Sequence, residues 1–220
     1  MEDSKRIELK ATLRSTDIYR LEEWILSETT LSSLFPDREI NNIYFETDTY
    51  ASATDNIDGV SKRTKVRYRW YGSPVISNGS LEFKRKRNNV GWKEQYPVLL
   101  QGGVPSSYKH VIKSINSSLP LKRQIEFSYY NLPFILNSYS RKYYSTDDKK
   151  IRVTVDSSIV AYDQRWGVDI NRIKKITLPS IIIVEFKFSI QDKEIAVQLM
   201  KRLPFRISKH SKYITSVLHV

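Results

Sequence analysis

Polar and apolar residues alternate with a period of two along several stretches of the chain. In Arg6 to Leu13, residues Arg6, Glu8, Lys10 and Thr12 fall on one side, and Ile7, Leu9, Ala11 and Leu13 on the other. Successive side chains of a strand point to opposite faces, so the pattern predicts a strand with one apolar face. Arg63 to Tyr71 repeats it, with Arg63, Lys65, Arg67 and Arg69 against Val66, Tyr68 and Trp70. Leu81 to Arg87 sets Glu82, Lys84 and Lys86 against Leu81 and Phe83, less cleanly. Further strands are predicted over Asn42–Thr47, Trp92–Leu99, Asn137–Tyr144, Ile151–Asp156 and Ile181–Phe188. Asn88-Asn89-Val90-Gly91 reads as a turn between two of them. Helical spacing is rarer. Ser15 is placed to cap a helix carrying Ile18, Leu21, Trp24 and Ile25. Pro105 opens one with Tyr108, Val111, Ile112 and Ile115, and Asp192 one with Ile195, Leu199, Met200 and Leu203 that Pro204 ends. Gly72 to Ser80 is a loop, and no repeat or linker divides the chain, so residues 1–220 read as a single domain.

Composition sharpens this picture. The 220 residues include no cysteine, which excludes disulfides, thiolate metal sites and a cysteine nucleophile. The charged start Met1-Glu2-Asp3-Ser4-Lys5-Arg6 is no signal peptide, and the longest aliphatic run, Ile181 to Val184, is too short to cross a bilayer. A cytoplasmic protein without a membrane segment is expected. The formal net charge is +12, and residues 60–95 hold ten basic side chains against Glu82 and Glu94. Charge concentrated in this way implies a polyanionic partner.

The charged faces carry the chemistry. Arg63, Lys65, Arg67 and Arg69 put four cations on one side of one strand. Same-face neighbours lie about 7 Å apart, where unit charges repel by about 2 kcal/mol at an effective dielectric of about 20. Something anionic has to offset this. Acids recur beside cations at period two, as Glu8 with Lys10, Glu82 with Lys84 and Glu185 with Lys187. Carboxylates of this kind can hold Mg²⁺ or Mn²⁺, and the ammonium groups beside them suit the phosphates such an ion bridges, although plain salt bridges give the same pattern. About eight such strands can close into a barrel whose charged sides line a wet bore and whose apolar sides are covered by helices. The expected fold is therefore α+β and mainly antiparallel β, a closed or nearly closed tunnel barrel of about eight strands with amphipathic helices outside. Lys209 and Lys212, three apart, would share one side of a short helical turn and could grip terminal phosphates.

Four strings resemble one known family. They are Asn42-Ile43-Tyr44-Phe45-Glu46-Thr47; Gly59 to Gly72, containing Lys65-Val66-Arg67-Tyr68-Arg69-Trp70-Tyr71-Gly72; Leu81-Glu82-Phe83-Lys84-Arg85-Lys86; and Pro204 to Tyr213, containing Ser208-Lys209-His210-Ser211-Lys212-Tyr213. In this order they resemble the VTC domain, the polyphosphate polymerase domain of the vacuolar transporter chaperone family, within the triphosphate tunnel metalloenzymes. The resemblance implies a tunnel that binds ATP and a divalent metal, preferably Mn²⁺, and transfers the γ-phosphate to a growing polyphosphate chain. It implies that Lys10, Arg67, Arg69, Lys84, Lys93, Arg141, Lys209 and Lys212 are the basic tunnel residues and that Glu185 binds the metal. Glu8 or Glu82 would assist Glu185. Sister triphosphatases begin with Glu-x-Glu-x-Lys; here the string is Arg6-Ile7-Glu8-Leu9-Lys10, which favours the polymerase branch.

In the mechanism this implies, Arg67, Arg69, Lys84 and Arg141 hold triphosphate oxygens and the acceptor supplies the attacking oxygen, so no protein nucleophile is needed. His110, His210 and His219 show no triad or metal spacing and receive no role. Two other readings stand beside this one. The same fold could hydrolyse tri- or polyphosphate. The basic segment with Tyr68, Trp70, Tyr71 and Trp92 could instead belong to a non-enzymatic module that binds nucleic acid or polyphosphate. The second ranks lower, because the cations alternate with apolar partners and acids recur beside them.

Overall fold

The computed structural model describes residues 6–88, 90–101, 105 and 107–220. The elements run β1 (Arg6–Arg14), α1 (Ile18–Ser27), β2 (Leu31–Glu46), α2 (Ala51–Ile57), β3 (Lys62–Tyr71), β4 (Gly79–Arg87), β5 (Val90–Val98), α3 (Tyr108–Ser118), α4 (Leu121–Ser128), β6 (Leu132–Thr146), β7 (Ile151–Asp163), β8 (Lys175–Ile176), β9 (Ile181–Ser189), α5 (Lys193–Lys201), β10 (Ile207–Ser208) and α6 (Lys212–Val217). This is an α+β fold dominated by antiparallel strands. The chain forms two compact units, one made of residues up to Arg38 with Tyr139–Ile159 and Pro179–Ser211, the other of Glu39–Ser138, Val160–Leu178 and Lys212–Val220.

In the first unit the strands run in the antiparallel order β10, β1, β9, β7. The register sets Lys10 opposite Glu185 and Glu8 opposite Lys187, so the polar sides of β1 and β9 share one face. The other face is apolar. Ala11 and Leu13, Val184, Phe186 and Phe188, and Ile151, Val153 and Val155 pack there against Leu21 and Trp24 of α1 and Ala196, Leu199 and Met200 of α5. Trp24 meets Phe186 edge to face, with centroids 6.1 Å apart. Burying each such side chain contributes about 1.5–3 kcal/mol.

In the second unit the order is β5, β4, β3, β2. Ile43, Phe45, Val66, Tyr68, Trp70, Leu81 and Phe83 form its apolar face, which packs with Val111 and Ile115 of α3 and Phe127 of α4. Arg85 also lies on this side, which explains why alternation in β4 was imperfect. It donates to Glu94 of β5 at 2.8 Å and pairs with Glu126 of α4 at 2.7 Å, while Arg123 of α4 closes the network on Glu94 and Glu126. Its charge is spent docking a helix and is not available to a ligand.

Several expectations need correction. There are ten strands among the described residues, where about eight were expected, and within each unit the antiparallel run is open, so neither is a closed barrel. The added strands, β8 and β10, have two residues each, too few to show any alternation. Among the described residues six α-helices form instead of three. α2, α4 and α6 escaped notice because they have only six to eight residues, barely two turns. Ser15 does not cap α1; its hydroxyl meets that of Ser180 at 2.8 Å, and a 3₁₀ turn, Ser15–Asp17, precedes the helix. Asp192 stands at the start of α5 but turns its carboxylate to the Ser189 hydroxyl. Asn89 of the expected turn lies outside the described residues, and the helix expected from Pro105 begins at Tyr108.

Candidate functional site

The second unit gathers its charges on the face away from α3 and α4. Strand register puts Tyr44, Arg67, Glu82 and Gln95 in one cross-strand row and Lys65, Lys84 and Lys93 in the next. Glu82 is the centre. It is fully buried. Arg67 donates to it from Nε at 2.7 Å and pairs through Nη2 at 2.6 Å; Lys93 donates at 3.0 Å, and Arg69 Nη1 lies at 4.0 Å. Burial acts to raise the Glu82 pKa, but Arg67, Arg69 and Lys93 outweigh it and hold the carboxyl far below the usual range. The anion that offsets the cations of β3 is thus partly the protein's own.

Arg69 is held a second way. Its Nε donates to Asn42 Oδ1 at 2.8 Å, and Asn42 Nδ2 donates to Asn137 Oδ1 at 2.9 Å. A guanidinium can only donate, so it fixes which way each amide points. Lys93 also donates to Gln95 at 2.8 Å, and Gln95 to Ser80 at 2.9 Å. Lys84 is half-buried between Lys65 and Lys93 in register. These contacts preorganise a set of donors suited to phosphate oxygens.

The first unit gathers two further groups. Lys10 Nζ lies 3.2 Å from Glu8 and 3.5 Å from Glu185 and donates to the His210 carbonyl at 3.1 Å. Lys187 Nζ lies 2.5 Å from the other oxygen of Glu185. Burial would lower the Lys10 pKa, but Glu185 and Glu8 outweigh it and keep the ammonium above the ordinary lysine range. Arg141 grips the buried Asp156 with Nε and Nη2, at 2.5 and 2.7 Å, and lies over the rings of Tyr139 and Tyr143 at 5.3 and 5.9 Å. This bidentate pair fixes the plane of the guanidinium.

Among the described residues, no group of three or more His, Cys, Asp or Glu side chains comes together to hold a metal. Glu8 and Glu185 do converge on the Lys10 ammonium, with Glu185 also paired to Lys187, so two carboxylates stand together there. Mg²⁺ and similar ions are commonly held by one or two carboxylates with water and substrate phosphates completing the shell. The donor set fits a divalent ion of that kind. Glu82, whose oxygens face Arg67 and Lys93, organises cations.

The alternation thus located Arg67, Arg69 and Glu82, which meet with the Lys93 that the resemblance implied, and Lys10, Glu8 and Glu185, which also meet. Lys209 and Lys212 do not share a helical turn. Lys209 is exposed ahead of α6, and Lys212 is its first residue. Sequence reasoning missed Asp156, Asn42, Tyr44, Glu46 and Tyr213. The available signal is weak: Asp156 is a lone acid at period two with Arg152 and Thr154, and Asn42, Tyr44 and Glu46 share a side of their strand with no bias of charge to single them out.

The family model of the VTC domain matches residues 5–220. Among solved structures, an adenylate cyclase candidate from Vibrio parahaemolyticus aligns with a TM-score of 0.54 at 11% identity, covering 97% of this chain and 98% of that one. The PH1819 protein of Pyrococcus horikoshii OT3 aligns with a TM-score of 0.47 at 10% identity, over 96% and 95%. The first likeness concerns the fold alone. No curated protein matches.

Proposed function

The chain belongs to the VTC domain family, and from that premise we propose that it is a metal-dependent phosphotransferase that extends polyphosphate with the γ-phosphate of ATP. The observation that carries this reading is the convergence of Arg67, Arg69 and Lys93 on buried Glu82, beside the row of Lys65, Lys84 and Lys93. Cations so fixed lose little freedom on meeting an anion and can neutralise charge that spreads over phosphoryl oxygens.

In this proposal Arg67, Arg69, Lys84, Lys93 and Arg141 hold and neutralise the triphosphate. Glu185, helped by Glu8, would hold Mn²⁺ or Mg²⁺, which when bound withdraws charge from the transferring phosphoryl group. Lys10, already bound to both carboxylates, keeps them oriented and adds a positive charge beside the phosphates. Lys209 and Lys212 orient the acceptor. Residues 1–220 act as one domain in this proposal, as the continuous family match suggests. A terminal phosphate oxygen of the acceptor attacks the γ-phosphorus and ADP leaves, so the new P–O bond replaces the one broken.

Hydrolysis of tri- or polyphosphate is the second reading, favoured by the surviving Glu8-Leu9-Lys10; Arg6 in place of a glutamate speaks for transfer. Incubation with ATP and Mn²⁺, with products resolved on a polyphosphate gel, separates them. The proposal expects a ladder of chains and stoichiometric ADP. ADP with inorganic phosphate and no ladder would establish hydrolysis instead.

A further inference from the structure

We infer that Tyr44 and Tyr213 form an aromatic shelf that positions Lys65 and Arg67, and that Glu46 seats the shelf. The inference rests on the proposed phosphate-binding role of β3 and assigns three residues outside it. Tyr213 is the second residue of α6 and is buried. Its ring stacks on that of Tyr44, with centroids 4.6 Å apart and planes at 22°. Two cations of β3, two residues apart and so on one face, lie over the pair. Lys65 Nζ is 5.4 Å from the Tyr213 centroid, and the Arg67 guanidinium is 6.0 Å from that of Tyr44. Arg67 Nη1 also donates to the Tyr44 hydroxyl at 3.3 Å. The shelf faces the cations with the electron-rich sides of its rings, the geometry in which a ring attracts an ammonium or guanidinium group.

Glu46 fixes the shelf from the other end. One of its oxygens accepts the Tyr213 hydroxyl, and the other accepts the backbone N–H groups of Ser52 at 3.0 Å and Thr47 at 3.3 Å. Phe134 closes on Tyr213 edge to face at 6.2 Å. A contact chain therefore runs from the start of α2 through Glu46, Tyr213 and Tyr44 to Arg67, and on to Glu82. Glu82 holds Arg67 by its Nε and Nη2; Tyr44 takes Nη1, so the fork is restrained at all three nitrogens. Both Glu82 bonds go to a single oxygen, unlike the two-oxygen grip of Asp156 on Arg141, so they leave the guanidinium free to turn about that point and the Tyr44 hydroxyl adds a separate restraint. α6 thus brings the ring beneath Lys65.

The test is calorimetric titration of the full chain with inorganic tripolyphosphate, arranged as a mutant cycle. Tyr213→Leu is expected to weaken binding about tenfold in the native chain and less than about twofold in a chain already carrying Lys65→Ala and Arg67→Ala. Tyr44→Phe, which removes only the hydroxyl that Arg67 meets, is expected to cost about threefold, and to cost nothing in the Arg67→Ala background. Tyr213→Phe keeps the stack but removes the hydroxyl that Glu46 accepts, and should cost about threefold, less than Tyr213→Leu. Equal losses in both backgrounds would show that the rings support the fold and not these cations, and would overturn the inference, as would undiminished binding by Tyr213→Leu. Where Tyr213→Leu fails to fold, the Tyr44→Phe cycle decides by the same criterion. A native chain that does not bind tripolyphosphate would overturn the proposed function together with the shelf. A native chain that binds and loses affinity on Arg67→Ala, but not on either tyrosine substitution, would overturn the shelf alone.

Discussion

Glu82 shows how one residue can set the character of a site. A buried carboxylate with two arginines and a lysine around it converts repelling charges into an ordered group. Its depressed pKa is also a statement about stability. Folding favours the ionised form, so the contribution of Glu82 is present above the ordinary glutamate value of 4.5 and is lost as pH falls below it toward the lowered folded value. Denaturation measured from neutral pH to about pH 3 should show this loss in the native chain and a flatter profile in Glu82→Gln. At neutral pH the same substitution should cost about 3 kcal/mol, the lower end for a broken buried pair, because Lys93 keeps access to water. Activity should fall with it, since Arg67 loses its main restraint. The sequence exposed Glu82 and its cations because period two and charge coincide there. It did not expose Asp156 or Tyr213, whose meaning depends on Arg141 and Tyr44, each well separated from its partner in the chain.

Elements were legible in proportion to their regularity. β1, β3, β4, β5 and β9 appear within two residues of their expected ends, because alternation or, in β9, a run of aliphatics marks most of each strand. β2, β6 and β7 run longer than alternation suggests. The first half of β2, including Pro36, is mostly exposed, and it has no apolar face to betray it. The β3–β4 hairpin offers a test at this scale. Gly79 opens β4, and a Cβ there would meet the Arg69 carbonyl oxygen at 2.1 Å. Backbone cannot yield as a flexible side chain does, so Gly79→Ala should destabilise the chain by about 1–3 kcal/mol. Because the clash falls on Arg69 itself, tripolyphosphate affinity should drop as well, while the α1 and α5 side of the first unit is untouched. Calorimetry of folding and of binding on one variant checks both.

At the scale of the whole molecule, family membership was legible from four separated strings, whereas the division into two units was not, since no linker or shift of composition marks it. β2, β6 and β7 each contribute residues to both units, and continuous strands leave no punctuation in a sequence. The net charge of +12 bears on ligand binding directly. Tripolyphosphate at millimolar concentration should raise the melting temperature by several degrees through binding linkage. The shift should shrink as salt screens the partly exposed lysines. A melting temperature that ignores tripolyphosphate would count against the phosphate-binding role of both charged faces. In each unit the central strands turn one side to the core and the other to the chemistry, Arg85 of β4 being a charge on the helix side. Insertion or deletion of a single amino acid inside β3 or β4 would therefore exchange the two sides, driving guanidinium groups into oil and indoles into water. Such a lineage can change its taste in substrates only by replacing side chains in place, never by altering the spacing between them.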